Sequence, residues 1–291
     1  MRLLNVAALQ ISPITGDPEA TLRDFERRIK KLRGTLNGLQ LVVIPELHLA
    51  AVGGFFDDES DDPERLAVEI PGPLTDRLCA LARANDVWLV PGSLYERGEE
   101  GGVHNTAVAI SADGEVVTAY RKCFPWQPYE DTTPGTRLVT FEIPDVGTLG
   151  LAICHDGAFP EVFRSLAWMG AEVVLQPTLT TTIDRDAEVV LARANAIANQ
   201  LYVVNVNAPG PTALGRSVIV DPEGLVRMQA GAGEELLTDV LDLEAVTRVR
   251  EHGSFGINRL LDQLDRVGPT LELPMYGGYT PRGLSVGEDR R

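Results

Sequence analysis

Cysteine is scarce in this 291-residue chain, which has only Cys79, Cys123 and Cys154. This odd and sparse set has no metal-like spacing, so it argues against both a disulfide framework and a zinc site. It fits a reducing compartment, and we expect a cytoplasmic protein.

Long hydrophobic runs and positive charge are also lacking. No stretch approaches the roughly 18 uninterrupted apolar residues of a membrane-spanning helix, and the N-terminus has no adequate signal-peptide core. The chain has 26 Lys and Arg against 42 Asp and Glu, a formal net charge of −16. So acidic a surface repels nucleic acid and anionic membranes at long range, and we expect neither as a partner.

The apolar residues, 44% of the chain, are arranged in short runs that alternate with amphipathic segments. Helices are predicted from Asp17 onward, over about 159–170 and over about 184–200. The alternation implies an α/β or α+β fold in layers, with helices covering a sheet. A surface loop is predicted at 53–71. Val-, Leu- and Ile-rich runs predict strands at 3–11, 40–44, 87–94, 105–110, 149–153, 172–175, 201–206, 215–221 and 225–230.

One of the three cysteines stands where a reactive group is expected. The apolar strand that ends at Ile153 continues into Cys154-His155-Asp156-Gly157 and then into a helix, which predicts a strand-to-helix corner. Backbone N–H groups at such a corner lower the pKa of a thiol and can stabilise an oxyanion. The alternative is a buried cysteine that acts as a small hydrophobe. That alternative does not explain the polar residues that follow.

Two charged residues also follow apolar strands. Glu46 comes after the strand at 40–44, at a sheet end of the kind where α/β proteins bind ligands, although a solvated loop glutamate is the commoner case. The chain has only three lysines, and Lys122 is the one outside the first helix. It precedes an aromatic, proline-rich loop that can desolvate an ammonium group and make it an electrostatic stabiliser. The alternative for Lys122 is an ordinary surface lysine.

These segments together resemble the nitrilase, or carbon–nitrogen hydrolase, superfamily, whose members carry Glu, Lys and Cys in this chain order. The resemblance runs from Leu4 to about Asp242 and includes Arg193-Ala194-Asn195. It implies an αββα sandwich in a single carbon–nitrogen hydrolase domain at 1–268, followed by an irregular C-terminal arm at 269–291. It also implies no cofactor or metal, and self-association as a homodimer or larger homo-oligomer.

The resemblance further implies roles for individual residues. Cys154 is expected to be the nucleophile and Glu46 the general base. Lys122 and the backbone N–H of His155 are expected to hold the oxyanion. Glu130 is expected to support the site by binding Lys122 or the substrate amine.

Two motifs indicate which branch of the family the chain resembles. Lys-x-x-Pro-Trp-x-Pro-x-Glu at 122–130 is similar to aliphatic amidases and formamidases, and Cys-His-Asp-Gly-x-Phe-Pro-Glu at 154–161 looks most like formamidases. Trp126 and Tyr129 are expected to form the wall of the acyl pocket. An equal alternative is that these two side chains only anchor their loop by packing. The residues after Glu130 lack the Gly-Trp associated with aliphatic amidases, which leaves the pocket size open.

The activity implied is hydrolysis of a small-molecule carboxamide to a carboxylic acid and ammonia through a cysteine thioester. One alternative is hydrazide, carbamoyl or nitrile cleavage, or acyl transfer, by the same residues. Another is a catalytically silent binding protein. Three asparagines are expected to cap or satisfy backbone groups near the site: Asn105, Asn205 and Asn207.

Overall fold

The computed structural model describes residues 1–54, 62–99 and 101–267, in which thirteen strands form two sheets. The first sheet has the order β13-β1-β2-β3-β5-β4, and β6 pairs with β5. Its parallel centre is β1, β2 and β3, and β13 runs antiparallel to β1. The strands of this sheet are β1 (Leu3–Gln10), β2 (Leu41–Val43), β3 (Trp88–Val90), β4 (Ser93–Arg97), β5 (Val103–Ile110), β6 (Val116–Arg121) and β13 (Glu235–Asp242).

The second sheet has six strands in the order β12-β11-β10-β9-β8-β7. Strands β8, β9 and β10 are parallel, and the others pair antiparallel. The strands are β7 (Thr140–Ile143), β8 (Gly147–Leu151), β9 (Val173–Thr178), β10 (Tyr202–Asn207), β11 (Val218–Val220) and β12 (Val226–Gln229).

The two sheets pack face to face, and helices cover their outer faces. Alternate residues of β2 belong to different hydrophobic cores. Leu41 and Val43 pack between the sheets, whereas Val42 packs outward in the core that contains Phe25 and Leu78 of the helices. The outer face of the second sheet is covered in the same way. The order of layers is therefore helix, sheet, sheet, helix, and the predicted αββα sandwich is confirmed.

The helices agree with the sequence pattern wherever that pattern is amphipathic. The helix predicted from Asp17 begins at Pro18, and the Asp17 side chain caps it by accepting a hydrogen bond from the Ala20 N–H at 2.9 Å. The structure describes the helices α1 (Pro18–Thr35), α2 (Pro63–Leu66), α3 (Pro73–Asn85), α4 (Pro160–Trp168), α5 (Arg185–Asn199), α6 (Leu243–His252) and α7 (Leu260–Val267).

The single strand predicted at 87–94 is wrong, because the chain turns at Gly92 and forms β3 and β4 instead. Gly92 has φ +68°, and a Cβ there would lie 1.8 Å from the carbonyl oxygen of Pro45. Only glycine permits this approach. The turn places its backbone against the segment that carries Glu46.

Part of the loop predicted at 53–71 is ordered as α2, and Val68 forms a bridge with Glu96. Residues 55–61 of that loop and the arm predicted at 269–291 lie outside the described residues. The domain boundary at 268 therefore stays a prediction. Among the described helices, none is long and apolar enough to cross a membrane.

Candidate active site

The strands bring the three predicted residues to one edge of the sandwich. Glu46 follows β2, Lys122 follows β6 in the same sheet, and Cys154 follows β8 in the other sheet. The two sheets meet here, since the Glu46 N–H donates to the carbonyl of Thr178, the last residue of β9, at 3.3 Å. The site is thus assembled from both sheets.

Lys122 lies between two carboxylates. Its Nζ donates to Glu46 Oε1 at 2.9 Å and to Glu130 Oε2 at 2.6 Å, and no side chain of the three is more than 1% exposed. Lys122 is therefore not an ordinary surface lysine. A buried ammonium group is tolerated only where opposite charge surrounds it, as these two carboxylates do.

Asn105 completes this cluster. Its Nδ2 donates to Glu46 Oε1 and to Glu130 Oε1, at 2.8 Å in each case. The prediction that the Asn105 side chain satisfies backbone groups is wrong: it bridges two carboxylates and keeps them at a set separation. Asn207 does bind backbone, at Thr180 and Gly215, whereas Asn205 accepts from an arginine side chain.

The two carboxylates differ in how they are held. Glu130 accepts four hydrogen bonds, from Lys122, Asn105, Thr132 and the backbone N–H of Trp126. Glu46 accepts two, both at Oε1, and its buried Oε2 has no hydrogen-bond partner among the described residues. Glu130 is therefore the better stabilised anion.

The pKa values of the two carboxylates move apart for this reason. Burial raises the pKa of Glu46 above its ordinary value, and the charge of Glu130 adds to the rise, against the opposing charge of Lys122. Burial also acts to raise the pKa of Glu130, but the charge and hydrogen bond of Lys122 outweigh it and lower that pKa. When two neighbouring acids diverge in this way, the one with the raised pKa is suited to exchange protons.

Cys154 lies in a strained turn. Its φ is +43°, a left-handed conformation that non-glycine residues rarely adopt and that recurs at functional sites. Gln176 Nε2 donates to the Cys154 carbonyl at 2.9 Å. A Cβ at Gly157 would lie only 2.3 Å from that same nitrogen, so a larger residue there would displace Gln176. Asn195 of α5 holds the turn from the other side, donating to the Gly157 carbonyl at 2.9 Å.

The pKa of the Cys154 thiol is raised, contrary to the lowering that the strand-to-helix corner predicts. Burial raises its pKa well above the ordinary value, and the negative charge of Glu46 raises it further. The charge of Lys122 and a hydrogen bond from the backbone of Leu179 act in the opposite direction without reversing the shift. Because this shift favours the neutral thiol, nucleophilic attack by Cys154 would require a base that accepts its proton.

Asp156 is a structurally important residue that the sequence motif contained but to which no role was assigned. Fully buried, it accepts hydrogen bonds from the Tyr120 hydroxyl and the Ile153 N–H, both at 2.8 Å, and from the Phe124 N–H at 3.0 Å. It thus ties the Cys154 turn to the segment around Lys122. Burial raises the pKa of Asp156 to about 6. A charged residue two positions after the cysteine was the available signal.

A cavity of about 130 Å³ opens beside the thiol, lined by Cys154, His155 and Trp126 together with residues after β9 and in α5. Tyr129 packs against Trp126 with the rings tilted by 39° and 4.6 Å between their centroids. It is 56% exposed, so within the described structure it supports the wall and is not among the lining residues. Burial and the charge of Lys122 lower the pKa of His155, which favours its neutral form.

The sequence matches the family model for carbon–nitrogen hydrolases over residues 5–251. A formamidase from Bacillus cereus (strain Q1) is 33% identical over 196 residues, which cover 64% of this chain and 58% of that enzyme. The match thus spans less than two thirds of the length of this relative.

Two solved structures have a similar fold. Nit3 of Saccharomyces cerevisiae, a member of branch 10 of the nitrilase superfamily, has a TM-score of 0.77 and 26% identity, covering 86% of this chain and 94% of that one. A variant of the amidase from Nesterenkonia sp. AN1, with acrylamide added to its active-site cysteine, has a TM-score of 0.74 and 26% identity. That similarity covers 92% of this chain and 99% of the amidase.

Proposed function

The chain belongs to the carbon–nitrogen hydrolase family, and from this we propose that it hydrolyses a small linear carboxamide to the carboxylic acid and ammonia. One observation carries the proposal: a single buried ammonium, Lys122, binds Glu46 and Glu130 at a sheet edge where Cys154 lines a small cavity. An amide is a poor electrophile with a poor leaving group, so its hydrolysis needs a nucleophile, a proton carrier and oxyanion stabilisation together.

In the proposed first half-reaction Glu46 accepts the thiol proton while Cys154 Sγ forms a bond to the amide carbon. The ammonium of Lys122 and the backbone N–H of His155 stabilise the negative charge that develops on the carbonyl oxygen. Glu46 then returns its proton to the amide nitrogen as the C–N bond breaks. Ammonia leaves, and the acyl group remains on Cys154 as a thioester.

In the second half-reaction a water molecule replaces the amine. Glu46, unprotonated again, takes a proton from this water molecule while the water oxygen attacks the thioester carbon. The C–S bond breaks, the thiol regains its proton and the carboxylic acid departs. Glu46 suits both steps because its raised pKa makes it a stronger base than Glu130, so it accepts the proton that the thiol or the water gives up.

The dimensions of the cavity support a small substrate. Its volume is about 130 Å³. A cavity of about 150 Å³ accommodates one benzene molecule, so this cavity suits an amide of similar or smaller size. The length of the acyl chain is therefore proposed to be short, from formamide to amides with a few carbon atoms.

The proposal is tested by incubating purified protein with formamide, acetamide, propionamide, a hydrazide and a nitrile and measuring ammonia and carboxylic acid. We expect equal amounts of both products from at least one amide. Turnover confined to the hydrazide or the nitrile would favour that alternative chemistry. Hydroxamate formed with added hydroxylamine, without free acid in its absence, would favour acyl transfer. No turnover of any compound would favour a silent binding protein.

The acid limb of the pH profile of kcat/KM is expected to move to lower pH in a Glu130→Gln variant. Activity requires unprotonated Glu46, and the negative charge of Glu130 helps to raise the pKa of Glu46. Removing that charge lowers the pKa, so Glu46 stays unprotonated at lower pH. The plateau is expected to fall by about tenfold or more, since a hydrogen bond to a charged group contributes about 1.5–3 kcal/mol.

Thr132→Val is the matched control for this experiment. It removes a hydrogen bond at 3.2 Å to Glu130 Oε1 but keeps both charges, so the limb should stay in place. A limb that moves to higher pH in Glu130→Gln, or does not move, would contradict the assignment of Glu46 as the base.

A further inference from the structure

Glu188 has no part in the mechanism above, yet it lines the same cavity as Cys154. It lies in the first turn of α5 and was not singled out from the sequence. Its charge reaches the thiol, since it contributes to the raised pKa of Cys154. The cavity therefore has a carboxylate on its wall in addition to the Glu46–Lys122–Glu130 cluster.

One oxygen of Glu188 is firmly held. Oε2 accepts from Arg185 Nη1 at 2.7 Å and from the Thr180 hydroxyl. Arg185 is itself buried and donates to the carbonyls of Gly215 and Arg216 and, at 2.6 Å, to Asn205 Oδ1. The carboxylate is thereby fixed in one orientation without the help of a ligand.

The other oxygen of the Glu188 carboxylate is placed differently. Oε1 is buried and accepts no hydrogen bond from any residue of the described structure, and the same holds for the buried hydroxyl oxygen of Thr181 on the same cavity wall. Buried polar atoms are nearly always hydrogen-bonded, because leaving one unpaired is costly. A donor on a bound substrate can satisfy an unpaired carboxylate oxygen in a cavity of this size.

We propose that Glu188 Oε1 accepts a hydrogen bond from the acyl part of the substrate. The preferred amides would then carry a hydroxyl or amino group on the carbon atom adjacent to the carbonyl. The inference rests on the proposed amide hydrolysis. In that reaction the leaving nitrogen faces Glu46, which protonates it. The acyl group then lies in the rest of the cavity, which Asp184 and Glu188 both line, and of these two Glu188 is the one with an unpaired buried oxygen among the described residues.

Three amides of matched size test this: propionamide, glycolamide and glycinamide, which end in a methyl, a hydroxyl and an ammonium group. We expect kcat/KM for at least one donor-bearing amide to exceed that for propionamide by about tenfold or more. The larger of the two ratios identifies the hydroxyl or the amino group as the natural donor.

Glu188→Gln separates recognition from intrinsic reactivity. Its amide oxygen can keep the contact with Arg185, which turns the amide nitrogen, a donor, toward the cavity. The advantage of glycinamide over propionamide should then fall by about tenfold or more. Glycolamide should lose less, because its hydroxyl can also accept. Asp186→Asn is the control: it removes the same charge from the same helix turn, at an exposed residue paired with Arg216.

The outcomes distinguish this inference from the proposed function. Binding of the three amides to Cys154→Ala protein, measured by calorimetry, reports the Glu188 contact without turnover. Suppose that no amide is hydrolysed but that glycolamide or glycinamide binds more tightly than propionamide only when Glu188 is present. The proposed amide hydrolysis is then refuted, whereas the proposed Glu188 contact is supported. If amides are hydrolysed but Glu188→Gln changes all three equally, Glu188 serves only as the partner of Arg185 and the inference is overturned.

Discussion

Cys154→Ala is expected to lower amide turnover by at least about 10⁴-fold, because the proposed reaction has no other route to the thioester. The remaining groups can still bind substrate and polarise its carbonyl, which leaves a small residual rate. The measurement is ammonia release under saturating amide. Mass spectrometry of rapidly quenched protein should also show the acyl adduct on the wild type and none on the variant.

Cys79→Ala is the matched control, since it also removes one thiol. Cys79 lies on α3 and packs against the outer core of the first sheet, away from the cavity lining. Its replacement should leave kcat unchanged within about twofold. Equal turnover by Cys154→Ala and the wild type would exclude Cys154 as the nucleophile.

Lys122→Met is expected to damage both activity and stability. Loss of one preorganised oxyanion stabiliser typically costs about 10²–10³ in kcat. The variant also leaves Glu46 and Glu130 buried with no counter-charge, and breaking a buried ion pair on one side costs about 3–5 kcal/mol in the free energy of unfolding. Denaturant unfolding at neutral pH measures the second effect.

The pH dependence of this loss identifies its cause. Without the ammonium, burial and mutual repulsion raise the pKa of both carboxyl groups in the folded variant above their unfolded values. The folded variant then binds more protons than the unfolded chain, so its stability relative to wild type should recover as the pH falls. A deficit that is constant with pH would instead indicate a packing defect.

Lys30→Met provides the comparison. Lys30 is exposed on α1, so its loss removes the same charge without uncovering a buried carboxylate. We expect a change of no more than about 0.5 kcal/mol in the free energy of unfolding and no change in kcat. A comparable loss of stability in both variants would show that net charge, and not the buried cluster, is responsible.

The elements predicted correctly are those whose pattern is strong over a short stretch of chain. The helix from Asp17 has a capping residue, a proline and a clear apolar stripe, and the Val-rich β10 is buried along its whole length. Strand β13 was not predicted, because several of its residues are exposed and its pairing with β1 joins Leu3 to Asp242, which are far apart along the chain. Such a pairing leaves little trace in local periodicity.

The sequence by itself determined which residues are available at the ends of the strands: Glu46, Lys122 and Cys154 each follow a strand, and their chain order indicated the family. The tertiary structure alone decided how they act on one another. Glu46 and Lys122 are 76 positions apart, and the divergence of the pKa values of Glu46 and Glu130 depends on burial and on which oxygen each donor reaches. Among the described residues, Glu188 likewise binds Arg185 and Thr180 through one carboxylate oxygen and leaves the other unpaired. Residue order along the chain does not specify these distances, because folding brings distant segments together and removes the water that would otherwise screen their charges.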